Sequence, residues 1–241
     1  MQLRLDKLIS SQGAYSRKEA QQLIKNGSVR VDGVIVRDRG AHIDPDNNKV
    51  IVNSVPFEIS RYIYIMLNKP KGVVSATNDR DVKTVIDLVP DEFKKRNLFP
   101  AGRLDITTTG FVLITDDGDF AHRILTPKNH IEKTYHARLA QPVDEDQLKA
   151  VAEGIVLGDG TQCLPAKLKV IDDTENPLVE IKICEGKYHQ IKRMFAAAGN
   201  GVIELKRTMM GALELDESLA PGECRRLTDD EILLIQQKSA E

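Results

Sequence analysis

Asp105 stands out as a carboxylate set for chemistry. It closes the word Gly102-Arg103-Leu104-Asp105 and precedes Ile106-Thr107-Thr108-Thr109-Gly110 and the apolar run Phe111-Val112-Leu113-Ile114. A basic side chain, an acid and a Thr-rich turn meet just ahead of a strand whose composition predicts burial. Loops fixed on rigid strands are where reactive groups collect. A carboxylate there can add covalently to an electrophile or help withdraw a proton. It can equally bond its own backbone in the turn, and the pentapeptide alone does not separate the two. Other chemistries find less support. The three cysteines, Cys163, Cys184 and Cys224, are widely spaced with no Cys-x-x-Cys pair, which argues against a disulfide framework or a zinc site. The five histidines, His42, His122, His130, His136 and His189, form no ligand word, so no metal is expected.

The elements that must position Asp105 are those of a soluble globular chain. Its 241 residues suit one large domain or a small plus a medium one. It is 41% apolar and 29% charged, and no apolar run approaches the roughly 20 residues of a membrane span. The charged N-terminus lacks the apolar core of a signal peptide, so a cytoplasmic location is the expectation. Net charge is −2, yet residues 1–39 hold eight basic residues against four acidic ones. That asymmetry fits a basic nucleic-acid-binding module on a more acidic body.

Within the first 58 residues, Leu5, Leu8 and Ile9 share one helical face, and Ala20, Leu23 and Ile24 share another. Ser16 and Glu19 have capping-box spacing for the second helix, which Gly27 ends. Val29-Arg30-Val31 and Val34-Ile35-Val36 flank Asp32-Gly33, a strong hairpin signal. A last short strand follows at Val50–Val52. Together with Arg4-Leu5-Asp6-Lys7 and Ser16-Arg17, this unit resembles the RNA-binding domain shared with ribosomal small-subunit protein four. The resemblance implies that Arg4, Lys7, Arg17, Lys18, Lys25 and Arg30 contact RNA.

The pattern changes at about 57–61, dividing the chain into 1–58 and 59–241. Beyond it, Tyr62–Leu67 is β-prone, stops at a Lys-Pro-x-Gly turn and resumes at Val73-Val74. Strands are expected at 111–115, 134–139, 166–171 and 178–184, and helices at 82–89, 118–125, 144–153, 189–198 and 229–237. The order lacks regular βαβ alternation, which predicts an α+β fold with a mixed, largely antiparallel sheet flanked by helices.

Four words of this second part occur in a telling order: Leu67-Asn68-Lys69-Pro70-Lys71-Gly72; Gly102-Arg103-Leu104-Asp105; Glu132-Lys133-Thr134-Tyr135; and Glu185-Gly186-Lys187-Tyr188-His189-Gln190-Ile191-Lys192-Arg193-Met194-Phe195. Together they resemble the ribosomal RNA pseudouridine synthases of the RsuA type, and with the N-terminal module the resemblance covers nearly the whole chain. It implies isomerisation of uridine without a cofactor, and catalysis by Asp105 with Tyr135 and Lys192. Lys192 is the cation expected to keep the carboxylate ionised against burial, with Arg193 as the alternative. Tyr135 is expected to stack on the target base and to assist proton removal. Arg103 is expected to hold the flipped nucleotide and Leu205 to pack on its base. His189 either supports the site or caps the following helix. Whether Asp105 attacks the ribose, adds to the base or promotes a glycal stays open.

Arg123, Lys128, Lys133, Lys187, Arg193, Lys206 and Arg207 are expected to supply phosphate contacts. The implied partner is 16S ribosomal RNA in an assembling small subunit, bound by a monomer. A 23S enzyme of the same family and a non-catalytic assembly factor are the rival readings.

Overall fold

The computed structural model describes every residue except Met1, Asp46, Lys95 and 238–241. The chain forms two compact units. The first runs to Ile63 and also takes in Val89–Leu98. It holds β1 (Leu3–Arg4), α1 (Leu5–Ser11), α2 (Arg17–Lys25), β2 (Val29–Val31), β3 (Val34–Ile35), β4 (His42–Ile43), β5 (Val50–Val52), β6 (Val55–Pro56) and α3 (Asp91–Lys94).

The helices begin where the sequence predicts. The Ser16 hydroxyl accepts from Glu19 N, and Glu19 Oε2 accepts from Ser16 N at 2.6 Å, a complete capping box. Asp32 and Gly33 both have positive φ, 48° and 84°, as a tight two-residue hairpin turn demands. The order β3-β2-β5-β6 and the pairing of β1 with β4 frame a core of Leu5, Leu8, Ile9, Ala20, Ile24, Val29, Ile43, Val50 and Val52. Assigning everything past residue 58 to one unit needs amending for Val89–Leu98. Arg96 reaches back to Gln12 Oε1 at 3.2 Å and to the Ser60 carbonyl at 3.3 Å, tying that segment to the first unit.

The second unit is built on one mixed sheet. Its strands are β7 (Tyr64–Lys69), β8 (Phe99–Pro100), β9 (Thr109–Thr115), β10 (Lys133–Leu139), β11 (Lys167–Asp172), β12 (Leu178–Ile183), β13 (Val202–Met210), β14 (Leu213–Glu214) and β15 (Cys224–Arg226). Its helices are α4 (Gly118–Leu125), α5 (Glu145–Glu153), α6 (Gln190–Ala197) and α7 (Asp229–Ile235). The order is β11-β12-β10-β13-β9-β7-β15, with β14 on β13 and β8 on β9. β13 and β9 pair in parallel and the other pairs are antiparallel, so the mixed sheet is as expected.

Two expectations give way. Residues 82–89 form no α-helix; only Ile86–Leu88 make a single 3-10 turn. The Asp87 carboxylate accepts from Thr84 N at 2.7 Å and from the Thr84 hydroxyl at 3.0 Å, which closes the turn early. The resumed strand at Val73-Val74 is a lone bridge from Val74 to Thr84. On one face, α4 and α7 cover a core of Met66, Phe111, Leu113, Phe120, Ile124, Met210 and Ile235, which makes the central strands rigid.

Candidate active site

The Asp105 loop connects β8 to β9 and is pinned from several sides. The Ser75 hydroxyl donates to the Leu104 carbonyl and accepts from Leu104 N, both at 3.0 Å. The Asp105 carbonyl accepts from Thr108 N at 3.0 Å. The backbone of Asp105 thus makes the turn while its carboxylate bonds no backbone amide among the described residues.

Lys69, at the end of β7, is fully buried beneath the loop. Its ammonium donates to the Thr108 carbonyl at 2.8 Å and the Pro70 carbonyl at 3.0 Å. Burial lowers its pKa to about 8, against the charge of Asp105, which raises it, and with that of Lys192, which lowers it further.

Helix α6 brings the groups that face the carboxylate. His189, its N-cap, has φ +49°, a strained conformation for a residue with a Cβ. Its side chain makes no cap bond. Nε2 instead lies 3.3 Å from Asp105 Oδ1, and the ring stacks on Tyr188 with centroids 3.9 Å apart. Lys192 Nζ donates to the Thr107 hydroxyl at 2.7 Å and sits 3.9 Å from Asp105 Oδ2. The turn before α6 is fixed by a buried network: Gln190 Nε2 donates to Glu185 Oε1 at 2.7 Å, and Lys187 N donates to Gln190 Oε1 at 2.9 Å. Arg193 points elsewhere. Its guanidinium pairs with Asp159 at 2.6 Å and donates to the Tyr188 carbonyl. Hydrogen bonds from Thr161 and Arg193 hold the Asp159 carboxyl down at about 2.

Tyr135 enters from the sheet. On β10 it stands opposite Ile181 of β12 and Arg207 of β13. Gly110 of β9 is in register with both Arg207 and Lys69. A Cβ at Gly110 would collide with the Arg207 carbonyl, so only glycine lets β9 and β13 approach here. Tyr135 and Asp105 open on one cleft of about 790 Å³, lined also by Arg103, Lys133, Lys187, Tyr188, His189 and Arg207. Leu205 and Ile183 complete an adjoining recess beside Asp105 and Tyr135.

Comparison with known proteins decides what this arrangement belongs to. Residues 63–197 match the family model described as RNA pseudouridylate synthase, and residues 3–48 match the S4 domain. The chain belongs to the RNA pseudouridylate synthase family. The chain is 45% identical to ribosomal small subunit pseudouridine synthase A of Escherichia coli K12, over 95% of this chain and 98% of that one. It is 43% identical to an uncharacterized RNA pseudouridine synthase of Bacillus subtilis, over 99% of this chain and all of that one. A crystal structure of a pseudouridylate synthase shares 42% identity and superposes with a TM-score of 0.68, covering 97% of this chain and 99% of that chain. An RNA pseudouridine synthase is an isomerase, so this is an enzyme with an S4 module attached.

Within that family frame, Asp105, Tyr135, Lys192, Leu205 and Arg103 are brought together, with Arg103 exposed at the rim. Arg193 is not among them, because Asp159 engages it. Arg4, Lys7, Arg17, Lys18, Lys25 and Arg30 all lie exposed on the S4 unit. Lys133 and Arg207 depart from the surface role expected of them. Both are buried, 6% and 3% exposed. The Lys133 ammonium donates to the Ile131 and Ile124 carbonyls; burial, then the charge of Arg207, lowers its pKa to about 8. Lys206, next to Arg207 on β13, lines a pocket with His136 and Glu180 instead. Sequence reading passed over Lys69 as part of a turn word. The strand alternation that turns Leu205 inward also turns Arg207 inward, a signal that was there to be used.

Proposed function

We propose that this enzyme converts a uridine of 16S ribosomal RNA to pseudouridine, with Asp105 as the reacting carboxylate and Tyr135 and Lys192 as its partners. The observation that carries the reading is Asp105 itself: a carboxylate within ion-pair reach of Lys192 and His189, half-open to a cleft walled by Tyr135. The reaction breaks the bond from ribose C1′ to base N1, turns the base and joins C1′ to C5. The base must first leave its stack, at a cost of a few kcal/mol. As RNA displaces water from the cleft, the Lys192 ammonium, 3.9 Å from Asp105 Oδ2, gives the carboxylate an opposite charge at close range. Tyr135 offers its ring to the extruded base, Leu205 packs against it, and Arg103 at the rim meets the nucleotide's backbone.

The S4 unit brings the RNA through Arg4, Lys7, Arg17, Lys18, Lys25 and Arg30. RNA is read mainly through shape and unpaired segments, so a loop or junction uridine is the target. Small-subunit RNA is preferred because relatives 43–45% identical over 95% of the chain are named for that subunit. The protein works in the cytoplasm, where ribosomal subunits assemble. The test is pseudouridine mapping across 16S and 23S RNA from cells with the wild-type protein, with Asp105→Asn, and without it. One 16S position modified only by the wild type is the expected result. A 23S position would reassign the substrate, and unchanged maps would overturn the enzymatic reading.

A further inference from the structure

Arg207 is the unexplained charge of this cleft. It is 3% exposed, and its Nε donates to the Phe111 carbonyl at 2.7 Å. Its Nη2 is buried and reaches no acceptor among the described residues. A buried ionic donor without a partner is costly and calls for a reason. Folding offers none. The neighbouring buried cation, Lys133, satisfies itself on two carbonyls. Among the described residues Arg207 has no carboxylate within ion-pair distance, although it lines the same cleft as Asp105. Cross-strand register sets it directly opposite Tyr135, and its Cζ lies 6.0 Å from the centroid of that ring. Residues opposite each other in an antiparallel pair share a face, so the guanidinium flanks the space where a base stacked on Tyr135 comes to rest.

We infer that Arg207 stabilises the negative charge that develops on the uracil ring as it leaves the ribose. The inference rests on the pseudouridine synthase reading, and it holds both for attack of Asp105 on the ribose and for a glycal route. If Asp105 attacks C1′, an ester forms there as the C1′–N1 bond breaks. If H2′ is removed first, the C1′–N1 pair departs as the C1′–C2′ double bond forms. In both cases the bonding pair leaves with N1, and the free base is a uracil anion with charge shared over N1, O2 and O4. That anion then attacks C1′ through C5. The ester opens to free Asp105, or the proton returns to C2′, and the C5 proton is lost to solvent as N1 takes one up. A fixed cation at a low-dielectric site where charge develops needs no reorganisation during reaction. On this view the charge of Arg207 acts on the departing base from the wall of the cleft, beside the Tyr135 ring.

Leaving-group dependence tests this. 5-Fluorouracil is the stronger acid, so its anion needs less help to leave. Ribosomal RNA transcribed with uridine or with 5-fluorouridine is offered in single turnover to the wild type, Arg207→Met and Arg207→Lys. Loss of the N-linked target nucleoside is followed by mass spectrometry of the digest. Arg207→Met is expected to slow uridine cleavage by about 100-fold, and 5-fluorouridine cleavage by no more than about tenfold. Arg207→Lys, which keeps the charge, is expected to lie between Arg207→Met and the wild type. Thermal unfolding and RNA affinity of each variant report structural damage separately. An equal fractional loss on both RNAs, or no loss on either, overturns the inference. A wild type inactive on uridine RNA overturns the functional reading beneath it.

Discussion

Asp6 and Asp105 each sit beside a cation, and they are built differently. Asp6 of the S4 unit is fully buried. It accepts from Arg4 Nε at 3.1 Å, Arg4 Nη2 at 3.0 Å and Gln21 Nε2 at 2.9 Å, and Arg17 Nε lies 3.5 Å away. Burial pushes its pKa up, but those hydrogen bonds and the charge of Arg4 outweigh it and bring it to about 2. Asp105 instead keeps 27% of its side chain exposed, with His189 Nε2 at 3.3 Å and the Lys192 ammonium at 3.9 Å. Saturated bonding makes a carboxylate a fixture. Loose bonding at the mouth of a cleft leaves lone pairs free for a substrate. The same residue types therefore give scaffold in one unit and, in the proposed function, chemistry in the other, and the difference lies in how fully the oxygens are already used.

The sharpest way to break this contrast is to blunt both carboxylates equally. Asp105→Asn is expected to reduce uridine conversion by about 10⁴-fold or more, while unfolding temperature and RNA affinity stay near wild type. Asp6→Asn is expected to do the reverse. A residual rate in Asp105→Asn within tenfold of wild type would make Asp105 a structural residue like Asp6.

A finer cut separates two adjacent cations. Lys192 lies 3.9 Å from Asp105, whereas Arg193 pairs with Asp159, itself 54% exposed. Lys192→Met is expected to cost about 100-fold in single-turnover rate, since Asp105 loses the ammonium 3.9 Å from its carboxylate. Arg193→Met is expected to change the rate by no more than about fivefold, as an exposed pair should. Interchanged results would move the supporting role to Arg193.

Why the sequence resolved some of this and not the rest follows from range. The Ser16–Glu19 capping box and the Asp32-Gly33 turn depend on residues a few places apart, so their types suffice. The pairing of Leu3 with Ile43 and the return of Arg96 to the first unit join distant residues that no local pattern connects. The four-word resemblance was enough to gather Asp105, Tyr135 and Lys192. It said nothing of His189 turning into the left-handed region to face Asp105, nor of Lys69 supporting the loop from below. Both depend on how β7, β9 and α6 meet. Residues 82–89 failed for a local reason: helical periodicity was read where the Asp87 carboxylate and Pro90 confine the segment to one 3-10 turn.

Asp6 carries the next effect. Asp6→Asn leaves Arg4 and Arg17 without their anion and is expected to cost the S4 unit about 2 kcal/mol. Linkage gives a second signature. The folded carboxyl titrates near 2 against an ordinary 3.8, so the unfolded chain binds the proton first. The contribution is full above about pH 4 and is lost as pH falls from there toward 2. Hydrogen exchange of the α1 and α2 amides in the full-length enzyme should show that loss in the wild type and little of it in Asp6→Asn. Identical pH dependence in the two would mean that Asp6 is not the group that locks the helices.

The smallest expected effect concerns Lys18. It is exposed on α2, next to Arg17, whose guanidinium is drawn toward Asp6. A mobile ammonium of this kind meets a phosphate as a point charge and releases about one counterion. Lys18→Ala is therefore expected to leave the maximal rate unchanged and to flatten the slope of log affinity against log salt by about 0.7–0.9. Because the contact carries no base information, the weakening should be the same for target and non-target RNA. Filter binding between 50 and 200 mM salt measures both. An unchanged slope would take Lys18 out of the RNA face and leave Arg17, oriented by Asp6, as the contact on that helix, so that the fully bonded carboxylate would serve binding as well as scaffold.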